Sequence, residues 1–87
     1  MIGNIMGKKS LRLLYFAILR ESAGISSEDF STSANTSKEL YTELKERWNF
    51  SINENELRVA VNGEFADLED NLNEGDEVAF IPPVSGG

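Results

Sequence analysis

The stretch that decides the fold is the last one, "LNEGDEVAFIPPVSGG", residues 72–87. Glu74-Gly75-Asp76 supplies a turn, residues 77–81 read as a strand, and Pro82 and Pro83 stop it because neither can donate a ladder hydrogen bond. The same two prolines favour an extended, polyproline-like exit with little conformational freedom left to lose. Val84 and Ser85 follow. Gly86 and Gly87 carry no Cβ, so a partner can enclose the backbone in a narrow channel and reach the terminal carbonyl from either side. Chain ends are ordinarily frayed, but this one leaves a folded strand through a stiff joint. Residues 82–87 therefore read as a flexible, extended, reactive Gly-Gly tail.

Working back from the tail, "LRVAVNGEFADL" (residues 57–68) contains a strand, an Asn62-Gly63 tight turn and a short returning segment, since Asn-Gly readily takes the positive φ angles of the favoured hairpin turns. The reading gives Asn62-Gly63 turn chemistry and nothing more. Before it, "NFSINENE" (residues 49–56) is a polar connection that starts with Asn49 as a left-handed helix cap and turns Phe50 and Ile52 inward. The main helix is the clearest element. Thr36 and Glu39 form a capping-box pattern, Leu40, Leu44 and Trp48 repeat every four residues, and Tyr41 widens the apolar stripe. Glu43 and Arg47 are spaced to pair on the wet side.

Nearer the start, "LRLLYFA" (residues 11–17) reads as a strand with Leu11, Leu13, Tyr15 and Ala17 on one face and Arg12, Leu14 and Phe16 on the other. A short helical turn over 18–24 ends at Gly24, and "SSEDFST" (residues 26–32) returns as a weaker second strand. Residues 1–10, "MIGNIMGKKS", lack periodicity and hold a second methionine, so they read as a disordered leader or an ambiguous start site. The order is strand, strand, helix, strand, short strand, strand. One mixed sheet packed on one main helix is an α+β two-layer fold, and this order suggests a ubiquitin-like β-grasp over 11–81.

At 87 residues the chain is one domain with no room for a catalytic cleft between domains, which places its work at an edge or terminus. It has no histidine and no cysteine. That removes the usual general base, metal ligands, thiol nucleophile and disulfide framework, so no metal site and no bound cofactor are expected. A net charge of −7 disfavours nucleic acid and anionic membranes and favours partners with basic patches. No apolar run is long enough to cross a bilayer. "KKSLRLLYFAILRESAG" imitates a secretion signal, but Arg12 interrupts it and the same residues read as a core strand. Asn35-Thr36-Ser37 and Asn49-Phe50-Ser51 match a glycosylation pattern that only a secreted chain would use. The expectation is a cytoplasmic protein.

A terminal carboxylate is a poor electrophile, yet ATP can convert it to an acyl adenylate. A sulfur donor attacking that carbonyl displaces AMP and leaves a C-terminal thiocarboxylate on a swinging peptide. At this point the chain resembles a known family, the small subunits of molybdopterin synthase, which are sulfur-carrier proteins of molybdenum-cofactor biosynthesis. The resemblance runs from about Leu11 to Gly87 and rests on "LLYFAILRESAG", "AVNGEFADL" and above all "LNEGDEVAFIPPVSGG". It implies that a ubiquitin-activating-type adenylyltransferase uses ATP to adenylate Gly87, and that a sulfurtransferase or cysteine desulfurase system converts it to the thiocarboxylate. It implies further that the large synthase subunit accepts Pro82, Pro83, Val84, Ser85 and Gly86 threaded ahead of Gly87. There sulfur would pass to cyclic pyranopterin monophosphate to form the molybdopterin dithiolene, in a heterotetramer whose catalytic side chains belong to the large subunit.

If Tyr15 and Phe80 face the helix, Phe16 and Ile81 lie on the opposite face of the sheet, where Phe65 can join them as an apolar docking patch. Arg20 is similar in position to a family arginine near that surface. The competing account has Phe65 closing a minor core beside the hairpin. Other readings share the Gly-Gly end: carriers for thiazole synthesis or tRNA thiolation, a ubiquitin-like modifier joined to a target lysine, or a passive interaction module.

Overall fold

The computed structural model describes residues 8–83. In chain order it holds β1 (Lys9–Tyr15), α1 (Ala17–Ala23), β2 (Ser27–Thr32), α2 (Ser37–Trp48), a one-turn 3-10 helix (Glu54–Glu56), β3 (Arg58–Val61), β4 (Glu64–Ala66) and β5 (Glu77–Ile81). The strands form one five-stranded sheet in the order β2-β1-β5-β3-β4. β1 and β5 run parallel, and the other neighbours are antiparallel. This is the mixed-sheet α+β arrangement of a β-grasp, with the first and last strands side by side at its centre.

Period-two alternation sorts the residues. Leu11, Leu13 and Tyr15 of β1, Val78 and Phe80 of β5 and Val59 of β3 are buried with Leu40, Tyr41 and Leu44 of α2. α2 begins where the capping box places it: the Thr36 hydroxyl accepts from the Glu39 amide at 3.1 Å, and the Glu39 carboxylate accepts from the Asn35 amide at 2.8 Å. It ends at Asn49, which takes φ 58°. Phe50 then turns inward and stacks on Tyr41 with ring centroids 5.8 Å apart, while meeting Tyr15 edge-on at 5.7 Å. Burial lifts both tyrosine hydroxyls above their ordinary pKa, Tyr41 to about 12. For Tyr15, burial is reinforced by the Glu28 carboxylate, which accepts its hydroxyl at 2.6 Å.

Several expectations change. β1 starts at Lys9 instead of Leu11: Lys9 pairs with Thr32, and the Ser10 amide donates to the Glu74 carboxylate, so residues 9 and 10 belong to the sheet. Residues 1–7, the remainder of the expected leader apart from Lys8, lie outside the described residues. β1 also stops at Tyr15, and Ala17 leaves its expected face. Its φ of 53° turns the chain into α1, a full helix of seven residues closed by Gly24 at φ 78°. Glu43 and Arg47 do not pair. Glu43 accepts from the Thr32 hydroxyl at 2.6 Å, and Arg47 lies over the rings of Phe30 and Trp48 with Glu28 at 4.0 Å. The neighbouring strand β2 supplies the Thr32 hydroxyl to Glu43 and the Glu28 carboxylate and Phe30 ring to Arg47. The segment read as a polar connection contains the 3-10 turn, held by a reciprocal cap between Asn53 and Glu56.

Candidate functional site

The site is the face of the sheet turned away from α2, at the end from which the tail leaves. Register fixes its composition. Leu14 lies beside Ala79, Ala79 beside Ala60, and Ala60 beside Phe65, so one apolar row crosses β1, β5, β3 and β4. Ile81 sits on the same face opposite Arg58. Tyr15, Phe80 and Val59 are adjacent on the core side, which leaves Ile81 on the opposite face; Phe16, expected on that face of the first strand, lies beyond the end of β1 as the residue that caps α1.

β5 ends at Ile81, after which Pro82 is buried and Pro83 exposed. Two depressions flank this ridge. One, of about 580 Å³, has Phe16, Ala17, Ile18 and Ile52 as its far wall. The other has Glu56, Arg58 and Phe65. Ile81, Pro82 and Pro83 are the wall they share. Ala17 has a positive φ and turns the chain from β1 into α1; Phe16 and Ile18 on either side of it are 44% and 43% exposed.

Phe65 is 69% exposed, so it closes no minor core in this chain. Its ring lies under the Arg58 guanidinium at 5.5 Å. Phe16 and Ile81 share one depression, and Ile81 and Phe65 share the other. Arg20 is exposed on α1 and lines neither. Val84, Ser85, Gly86 and Gly87 lie outside the described residues. Ile18 and Arg58 were not picked out from the sequence. Arg58 had a legible signal, being the charged residue that interrupts the apolar run Leu57-Arg58-Val59 at an outward position.

Asn62 does more than turn the hairpin. Its side-chain amide donates to the Asp76 carboxylate at 2.9 Å, and its side-chain carbonyl accepts from the Glu77 amide at 2.9 Å. Asp76 in turn accepts from the Asn73 amide at 2.8 Å. The hairpin tip is thereby tied to the start of the strand that carries the tail. Among the described residues no cluster of three or more potential ligands could hold a metal ion, and no helix is long and apolar enough to cross a membrane.

Comparison with known proteins matches this arrangement. The ThiS family profile covers residues 13–87. The molybdopterin synthase sulfur carrier subunit of Haemophilus influenzae is 36% identical over 81 residues, spanning 88% of this chain and 99% of its own. Among solved structures, SAMP1 of Haloferax volcanii superposes with a TM-score of 0.72 at 30% identity, over 90% of this chain and 99% of its own. A chain from the complex of subunits 1 and 2 of the molybdopterin-converting factor of Helicobacter pylori does so with a TM-score of 0.60 at 29% identity, over 90% and 99%. With α2, the proline-stopped last strand and the Gly-Gly end all inside the matched span, the chain belongs to the ThiS family.

Proposed function

We propose that this chain is the sulfur-carrier subunit of molybdopterin synthase. The observation that carries the reading is the similarity to molybdopterin synthase sulfur carrier subunits over nearly their whole length, joined to a last strand that leaves the sheet through a buried proline beside an exposed apolar face. In this reading a ubiquitin-activating-type adenylyltransferase docks on that face in the cytoplasm. The Gly87 carboxylate attacks the α-phosphorus of ATP, releasing pyrophosphate and forming the acyl adenylate. The outer sulfur of a persulfide on a sulfurtransferase or cysteine desulfurase attacks the carbonyl and displaces AMP, and a thiol reductant then cleaves the S–S bond of the resulting acyl disulfide, leaving the thiocarboxylate and a disulfide. The large subunit binds the same face, takes the tail into its active site, and the heterotetramer passes sulfur to cyclic pyranopterin monophosphate. Water supplies the oxygen that restores the carboxylate. The chain contributes the reactant, and the fold contributes its presentation.

Mass spectrometry of material incubated with the activating enzyme, ATP and a sulfur source tests this. One oxygen replaced by sulfur at the C-terminus, followed by dithiolene formation with the large subunit and the pterin precursor, is the expected result. The likeness to SAMP1, whose full name is small archaeal modifier protein 1, favours one rival, a tag joined through Gly87 to a lysine. A lasting isopeptide adduct without sulfur transfer selects it.

A further inference from the structure

We propose that the partner receiving the tail presents a carboxylate side chain to Arg58, so that this arginine is a charge-reading contact beside the tail root. The inference rests on the sulfur-carrier reading, in which this face is covered, and adds the chemistry of what covers it.

On an acidic chain the cations are mostly engaged. Arg12 pairs with Asp29 at 3.1 Å and Lys38 with Glu69 at 3.5 Å, Arg47 has Glu28 nearby, and Lys9 and Lys45 donate to Ala34 and Asn53. Lys8, Arg20 and Arg58 are not: among the described residues no carboxylate lies within 4.0 Å of any of them, although the chain holds 15 acidic residues, and of these Arg58 is the one beside the tail root. Glu56 lines the same depression as Arg58 but is turned to its own helix cap, accepting from the Asn53 amide at 3.0 Å. What Arg58 does have is the exposed ring of Phe65 beneath its guanidinium. A ring orders the planar group while leaving its N–H edges free to donate in the plane.

Placement makes this consequential. Arg58 pairs across the sheet with Ile81, the last residue before the prolines, and shares a depression with Pro82 and Pro83. A partner that takes the tail and covers Phe65 and Ile81 must also cover Arg58. Burying an unpaired guanidinium costs several kcal/mol, which an apolar partner surface cannot offset. A carboxylate matches its fork with two parallel hydrogen bonds. The partner surface is then apolar opposite Phe65 and Ile81 and anionic opposite Arg58, even where its wider field is basic to suit a chain of net charge −7.

Titration calorimetry of the full chain with the large synthase subunit of the same genome tests this. Arg58→Ala weakens binding about tenfold or more, Arg58→Glu weakens it further, and Arg58→Lys recovers part of the loss. All three keep the native melting temperature and far-ultraviolet spectrum. Wild-type binding with Arg58→Glu within about twofold overturns the inference while leaving the carrier reading intact; a wild-type chain that does not bind overturns both. The chain's own terminal carboxylate is the rival occupant. Gly86 and Gly87 amide resonances that shift in the isolated chain on Arg58→Glu would assign Arg58 to it and overturn the inference, and unchanged resonances support it.

Discussion

The side-chain amide of Asn62 donates to the carboxylate of Asp76 across 2.9 Å, linking the β3–β4 turn to the turn that opens β5. Asn62 is also one of the few non-glycine residues at positive φ, 54°. One residue therefore closes the hairpin through its backbone and fixes the tail-bearing strand through its side chain.

Removing only the second role is possible with Asn62→Gly, which keeps access to the positive φ. The Asp76 carboxylate, itself buried, then loses a donor, and stability falls by about 1–3 kcal/mol. Asn62→Asp sets two carboxylates together and is expected to lose more. Urea midpoints check both; a Gly variant as stable as the native chain would reduce Asn62 to turn chemistry.

Stability should be nearly flat from about pH 6 to pH 9, because the chain has no histidine and no cysteine to titrate there. Both of its tyrosines have folded-state pKa values above the unfolded value of about 10, Tyr41 at about 12 because burial disfavours the phenolate. The sign follows from proton counts. Above about pH 10 the unfolded chain releases protons that the folded chain retains, so the stabilisation is complete below that pH and is lost as pH rises through the folded values. Melting temperature against pH, with tyrosinate absorbance read in parallel, is the measurement. Absorbance rising in a folded chain below pH 10 would contradict it.

Phe65→Asp should leave stability within about 0.5 kcal/mol, because the ring is 69% exposed, yet it should reduce binding to the large subunit by more than about tenfold. Leu13→Ala makes the opposite contrast. Its side chain is fully buried between the sheet and α2, and the change should cost about 2–5 kcal/mol. Melting curves beside titration calorimetry separate the two; a destabilised Phe65→Asp would return that ring to a structural role.

Gly86→Ala and Gly86→Val should leave the melting temperature unchanged, since the core is built from residues between Leu11 and Phe80. Both should slow adenylation or sulfur transfer, valine more than alanine, because a Cβ widens the tail just before the reacting carbonyl. Each tenfold loss in single-turnover rate corresponds to about 1.4 kcal/mol of transition-state positioning. Native rates for both variants in both steps would remove the narrow-channel argument.

Local chemistry made much of this protein legible in its sequence. The capping box, the four-residue stripe of α2, Asn-Gly at the hairpin and two prolines after an apolar strand each act over a few residues, and each appears where the pattern put it. Alternation along β1 likewise set Leu13 and Tyr15 against Arg12 and Leu14. What the sequence could not express is partnership between strands distant in the chain. Glu43 had Arg47 one helical turn away, and only the approach of β2 showed that Thr32 would take it instead. Phe65 was equally consistent with a small core and an open face until the register placed it beside Ala60, with its ring exposed beneath the Arg58 guanidinium. Arg58 and Asn62 gained their roles in the same way, one from the strand that ends at Ile81 and the other from the turn at Asp76. Propensity and periodicity are properties of neighbours along the chain, whereas a side chain's hydrogen-bond partner and exposure depend on which segments the whole sheet brings beside it.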